Sequence, residues 1–253
     1  MKYSFPAFEN GFIRAAAASP ALRVADCVYN AGQIIGVMRE YAEKNVQLLC
    51  LPEFALTGYT CSDLFLQDTL LRGAEDGLAA ILKASQGLNI VVLVGLPVRC
   101  NGKLYNCAAV VCNGELLGLV PKLHLPNYGE FYEKRHFIPG MRAPECITLA
   151  GQETLIGTNL LFACREMPEF VLGVEICEDL WAPVPPSCSH ALAGKGDFKR
   201  IFWARHKMAA LVKLAIVGQM LLGREAQKLT RTAHGGAVVD IPVSYTHLRA
   251  HET

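Results

Sequence analysis

The 253-residue sequence has no Cys-x-x-Cys pair, no glycine-rich phosphate loop, no internal repeat and no apolar run of bilayer length. Each absence removes a class of protein. Without Cys-x-x-Cys spacing there is no local support for a zinc ribbon or a thioredoxin-type centre. Gly235-Gly236 is an isolated pair, so neither a P-loop nor a dinucleotide fingerprint is present. The longest mainly apolar stretch, 208–222, carries Lys213 and Gln219 and falls short of a membrane span. Arg14 interrupts any apolar segment near the start, so no secretory signal is expected. A net charge of +1 gives no overall field for nucleic acid or an anionic membrane. These exclusions predict a soluble, cytoplasmic protein.

What is present is apolar: 52% of the residues are hydrophobic and only 19% charged. A chain of this length buries a core without disulfide or metal staples, and its composition excludes general disorder. Several of the ten cysteines lie inside apolar runs, such as Cys50 in QLLCLP and Cys107 and Cys112 in NCAAVVC. Those runs predict buried thiols in a reducing compartment. Charge is uneven along the chain. Residues 195–253 hold ten basic and four acidic side chains, no cysteine, and only Pro242 of the thirteen prolines. A composition break therefore falls near Gly194.

Before the break, strand and helix patterns alternate. FIRAAAAS (12–19) reads as a strand and 26–44 as a helix. VQLLCLPE (46–53) is a short continuous apolar run, the mark of a strand covered on both faces. A second helix is expected over 63–84 with Ser62 as its N-cap, and NIVVLVGLPV (89–98) is another buried strand. Residues 104–122 read as a hairpin turning at Asn113-Gly114, and FVLGVEICED (170–179) as a strand ending in acidic residues. The order implies an α/β protein with a mixed sheet.

Three strand ends place a polar residue just after an apolar run: Glu53 in LCLPEF, Lys122 in GLVPKLHLP and Cys177 in GVEICED. In α/β folds reactive groups collect where strands stop. A carboxylate, an amine and a thiol meeting there make a base, an oxyanion stabiliser and a nucleophile. Singly, each has a plainer reading: a solvated strand end, a surface lysine, a core thiol. His124 and His136 flank the lysine block without metal-ligand spacing.

Together, LPEFALTGY, GLVPKLHLPNYGEFYE and GVEICEDLWAP resemble the three signature blocks of the nitrilase superfamily of carbon–nitrogen hydrolases. The Leu-Thr-Gly-Tyr-x-Cys-x-Asp-Leu-Phe continuation after Glu53 and the Cys-Glu-Asp-Leu-Trp block resemble the glutaminase-domain branch of bacterial glutamine-dependent NAD synthetases. The likeness spans about residues 10–194. It implies a four-layer α-β-β-α sandwich, incomplete at its C-terminal end, and an amidohydrolase that releases ammonia from glutamine through a cysteine thioester. Carried over, Glu53 is the general base, Cys177 the nucleophile and Lys122 the oxyanion stabiliser. Glu130 is the second glutamate, a brace for the lysine, and Tyr128, Phe131 and Glu178 contact glutamine. No metal is implied. ATP and an NAD precursor belong to a synthetase domain, the partner in longer members, and homo-oligomers are common.

Beyond residue 194 the resemblance stops. The family continues with an apolar strand and a serine-rich loop, whereas here 198–229 read as a helix and VSYTHLRAHET (243–253) as translated adapter sequence. The expected organisation is a truncated glutaminase unit over 1–194 and a divergent basic tail over 195–253. An unpaired sheet edge and low activity follow from that expectation. Two alternatives stand beside it: a free-standing hydrolase of another small amide, and an incompetent fragment.

Overall fold

The structure, a computed structural model, describes residues 12–164, 170–193, 201–205 and 237–242. The first strand, β1 (Phe12–Ala17), leads to α1 (Cys27–Glu43), which starts where the Asp26 side chain accepts the Tyr29 N–H at 3.0 Å. That cap satisfies one of the helix's orphan donors. Asn30, Ala31, Ile34, Val37, Met38 and Tyr41 recur at three- and four-residue intervals, so a single stripe of α1 is buried. After β2 (Leu48–Cys50) the chain makes a 3-10 turn over Ser62–Leu66 and then α2 (Asp68–Ala84).

This corrects the expectation of one helix over 63–84 capped by Ser62. Ser62 has φ +51, no side-chain cap bond forms at the turn, and Gln67 is extended before α2 begins. Phe65 is the physical reason. Its ring sits 4.8 Å from Phe54 and 5.0 Å from Phe137, and the turn that buries it there is incompatible with a continuous helix.

The strands β3 (Val91–Cys100), β4 (Lys103–Cys112) and β5 (Glu115–Pro121) form an antiparallel meander. Asn113-Gly114, at φ +49 and +85, turns β4 into β5, and Asn101-Gly102 turns β3 into β4 in the same way. The short helix α3 (Glu133–His136) follows, then the hairpin β6 (Glu145–Leu149) and β7 (Gln152–Ile156). A second sheet contains β8 (Leu161–Ala163) and β9 (Val171–Glu175), with α4 (Pro186–Ala193) after it. Two further strands are β10 (Ile201–Arg205) and β11 (Ala237–Pro242). The large sheet runs β11-β1-β2-β3-β4-β5-β7-β6 and the small one β10-β9-β8.

Alternation along the central strands assigns their two faces. Leu49, Val92, Val94, Leu96, Cys107 and Ala109 pack with the buried stripes of α1 and α2. Leu48, Cys50, Leu93, Ala108, Val110 and Val120 pack against Leu172, Val174 and Ile176 of the second sheet and its exit. Both faces are dry, which is why these strands read as continuous apolar runs. On the far side of β9, Glu175 Oε2 accepts the Ser187 N–H of α4 at 3.3 Å. Helix, sheet, sheet and helix follow in that order, the nitrilase-like arrangement. At the α2 contact, a Cβ on Gly77 would meet Cδ2 of fully buried Leu56 at 2.8 Å, so a methyl group there requires Leu56 or the helix to shift.

The C-terminal expectation is also corrected in part. Residues 201–205, assigned to a helix from sequence, form β10 and pair in parallel with β9 from Ile201↔Val171 to Arg205↔Glu175. The edge expected to be unpaired therefore has a ladder partner, and β11 pairs with β1 at the edge of the large sheet. The rest of the expected helix and all of 243–253 lie outside the described residues.

Candidate active site

Strand direction brings the candidates together. β2 runs parallel to β3, and β4 is antiparallel to both β3 and β5, so β2, β3 and β5 end at one edge of the sheet. Glu53 follows β2 and Lys122 follows β5 at that edge, where antiparallel β4 contributes Asn106 near its start. The second sheet packs on this one, and Cys177 follows the end of β9. Three polar strand ends thus converge.

Lys122 is completely buried and Glu53 is 5% exposed. Lys122 Nζ donates to Glu53 Oε1 at 2.8 Å and to Glu133 Oε1 and Oε2 at 2.6 and 2.8 Å. Asn106 Nδ2 donates to Glu53 Oε1 at 2.6 Å, and the Tyr59 hydroxyl donates to Glu133 Oε1 at 2.7 Å. Glu53 Oε2 is buried and has no hydrogen-bond partner among the described residues. One carboxylate oxygen of Glu53 is therefore committed to the cluster and the other is left for chemistry.

Burial opposes the charge of Lys122, but Glu53 and Glu133 outweigh it and hold the ammonium proton above the ordinary lysine range. Burial and the charge of Glu53 push Glu133 upward, while Lys122 pulls it down. Burial, followed by the charge of Glu133, raises Tyr59 and keeps it a phenol. Lys122 is bonded to both carboxylates, so each buried ion has an opposite charge within hydrogen-bond distance, although the two glutamates share a single cation.

The brace on the lysine is Glu133, not Glu130. Gly129, at φ +59, turns the loop so that Glu130 remains exposed, while the Glu133 N–H returns to Pro126 O at 3.3 Å. That return directs the Glu133 side chain inward. Glu130 instead lines a cavity of ≈ 220 Å³ with Tyr59, Phe65, Tyr132 and Glu133. Glu133 stands eleven residues after Lys122 in the run EFYEKRH, and its burial between charged neighbours was the missing signal. Asn106 and Tyr59 also escaped the sequence reading. An asparagine in the middle of LYNCAAVVC was the visible clue, because a buried amide needs partners.

Cys177 is half-buried and has φ +48. A non-glycine residue there costs on the order of 1–2 kcal/mol and persists only where its surroundings hold it. Phe54, directly after Glu53, has φ +55. The two strand exits share this strain. Cys177 lies close enough to Lys122, Tyr59 and Tyr128 to influence their proton equilibria. Two of the buried thiols are poorer candidates: burial pushes Cys27 to about 11 and Cys50 to about 12, so neither supplies thiolate near neutral pH. No disulfide joins the described cysteines.

Tyr128, Phe131 and Glu178 meet beside Cys177. The Tyr128 hydroxyl donates to the Glu178 carboxylate at 2.9–3.0 Å. Phe131 stands edge-on to Tyr128 at 5.7 Å and to Tyr59 at 6.5 Å between centroids. No group of three or more His, Cys, Asp or Glu side chains among the described residues is arranged to hold a metal ion. No helix among them is long and apolar enough to cross a membrane.

A buried Glu–Lys–Glu cluster facing a strained cysteine on a two-sheet α/β sandwich defines a class, and comparison with known proteins agrees. Residues 14–193 match the carbon–nitrogen hydrolase family, and the chain belongs to it. Within that family it is similar to the glutamine-dependent NAD(+) synthetase of Mycobacterium tuberculosis (strain ATCC 25618 / H37Rv), with 41% identity over 190 residues, 75% of this chain and 28% of that protein. The Thermotoga maritima protein of the same name is 35% identical, over 66% of this chain and 25% of its own length. The chain thus spans only about a quarter of these relatives. Among solved structures, a glutamine-dependent NAD(+) synthetase from Cytophaga hutchinsonii superposes with a TM-score of 0.61 and 33% identity, over 66% of this chain and 28% of that one. A cysteine-to-alanine mutant of the Nesterenkonia AN1 amidase, from the nitrilase superfamily, shares the fold, with a TM-score of 0.58 and 20% identity, over 91% of this chain and 90% of that one.

Proposed function

We propose that this chain hydrolyses the side-chain amide of glutamine to glutamate and ammonia, as the ammonia-supplying unit of a glutamine-dependent NAD synthetase. The observation that carries the reading is the bonded Glu53–Lys122–Glu133 cluster beside strained, half-buried Cys177. Cys177 Sγ attacks the amide carbon and its proton passes to Glu53. Lys122 Nζ and the backbone N–H after Cys177 stabilise the oxyanion, and such a donor is typically worth about 10²–10³ in rate. The C–N bond then breaks as Glu53 returns the proton to departing ammonia, leaving a thioester. Water, deprotonated by Glu53, attacks that thioester, and glutamate leaves as the thiol is restored. The Tyr128–Glu178 pair suits the substrate's α-ammonium group, with Glu178 as its counter-charge.

The relatives' names support glutamine over other amides. The test offers the chain glutamine and a panel of short aliphatic amides, with thioester capture by an electrophilic glutamine analogue. Ammonia release from glutamine, with labelling that disappears in Cys177→Ala, is expected. Cleavage of a simple amide with glutamine untouched would make the chain a hydrolase of another amide. Stoichiometric labelling of the alanine variant would remove Cys177 from the mechanism.

A further inference from the structure

Asp179 is buried, two residues beyond the candidate nucleophile, and has no part in the reaction described above. Its carboxylate gathers backbone N–H groups from two separate segments. Oδ1 accepts from His124 at 2.7 Å and Leu123 at 3.1 Å, in the chain leaving Lys122. Oδ2 accepts from Ile176 at 3.1 Å, the residue before Cys177, with Leu123 a longer second donor at 3.4 Å. The Asp179 N–H closes the same turn onto Ile176 O at 3.0 Å. One side chain thus ties the exit of β5 in the large sheet to the exit of β9 in the small one.

We propose that Asp179 is a positioning residue for the amide-hydrolysis site, fixing strained Cys177 against Lys122 by clamping Ile176 to Leu123 and His124. The inference rests on the reading of Cys177 and Lys122 as nucleophile and oxyanion stabiliser. The positive φ of Cys177 needs an external hold, and the bond to the adjoining Ile176 N–H supplies it. The Lys122 head group is fixed by Glu53 and Glu133, so what stays adjustable is the spacing between the two sheets' exits. A shift of about 1 Å in reacting groups costs on the order of 10²-fold in rate. Burial pushes Asp179 up to about 7, against the pull of the backbone N–H groups and Lys122 and with a further push from Glu175. A carboxyl kept in so unfavourable a place, with its lone pairs spent on two loops, is matched to the clamp.

The experiment compares the full chain with Asp179→Asn and Asp179→Glu. Asparagine keeps the volume but presents an N–H₂ group to one of the two segments, so only one side of the clamp survives. Two readouts are taken well below the melting temperature: kcat and KM for glutamine, and iodoacetamide alkylation of Cys177 against exposed Cys146. For Asp179→Asn a tenfold or greater fall in kcat with KM within about threefold is expected. Cys177 alkylation should change at least threefold with Cys146 unaffected, and Asp179→Glu should recover part of both. Unchanged kcat and alkylation in a folded Asn variant would overturn the proposal, as would equal losses in kcat and at both cysteines. If the parent chain releases no ammonia from glutamine, the functional reading fails while alkylation still decides the clamp. If the Asn variant does not fold, hydrogen exchange in the parent decides. Leu123, His124 and Ile176 amides exchanging together supports the clamp, and Ile176 exchanging independently of the other two overturns it.

Discussion

Glu53, Lys122, Glu133 and Asn106 are withdrawn from water and bonded to one another, whereas Cys177 and Glu178 stand half-open and Tyr128 is 59% exposed. The inner group is a bonded network with two buried oxygens left over among the described residues, Glu53 Oε2 and Asn106 Oδ1. The outer group is less enclosed: Cys177 sits at a positive φ beside the Asp179-bonded Ile176, and Tyr128 and Glu178 meet in an exposed hydrogen bond. Under the proposed mechanism, the difference separates two requirements of amide hydrolysis. A proton acceptor and an oxyanion stabiliser must not reorganise during the reaction, which favours burial and multiple bonds. The nucleophile must be reached by substrate, which precludes both.

The sharpest way to break this comparison is to remove one member from each side. Lys122→Met should destabilise the fold by about 3–5 kcal/mol, because two buried carboxylates lose their shared counter-ion. Whatever folds should also lose turnover. Cys177→Ala should abolish turnover at a much smaller cost in melting temperature, because the side chain removed is small and half-buried and strands no buried charge. Urea unfolding curves and ammonia release, measured on both variants, check the pair. Equal stability losses in the two would show that the inner and outer groups are not built differently.

Asn106 probes the inner network alone. Asn106→Leu leaves Glu53 Oε1 with Lys122 as its one remaining donor and removes the long 3.5 Å contact to Glu133. The expected cost is about 1–3 kcal/mol in unfolding free energy, with a fall in kcat larger than any change in KM. A KM effect alone would place Asn106 with the outer group.

Legibility in the sequence follows the same division. Glu53, Lys122 and Cys177 were visible because each ends a continuous apolar run, and such runs mark strands covered on both faces. Partners that arrive from other elements were not visible. Glu133 reaches Lys122 only because the loop turns at Gly129, and counting from the lysine picks Glu130 instead. Asn106 belongs to the cluster through antiparallel pairing of β4, a contact between distant positions. The short run at 201–205 fits helix and strand periodicity alike, and only its pairing with β9 decides between them. The turn holding Phe65 depends on Phe54 and Phe137, which lie far away in sequence.

The smallest expected effect lies at the outermost contact. The Tyr128 hydroxyl occupies Glu178, the carboxylate assigned to the substrate's ammonium, and its hydrogen bond to Glu178 raises the phenol above its ordinary range. Under that proposal, glutamine shares or displaces this bond when it binds. In Tyr128→Phe the ring keeps its edge-on contact with Phe131, and only the hydroxyl is lost. Folding stability should be unchanged, since the residue is exposed. If the hydroxyl helps to hold the ammonium, KM for glutamine rises severalfold. If it merely blocks Glu178, KM falls. In both cases kcat should move less than twofold, because nothing within the inner network has changed. Steady-state kinetics on the variant give the sign, and a large fall in kcat would join Tyr128 to the inner group and erase the boundary between the two.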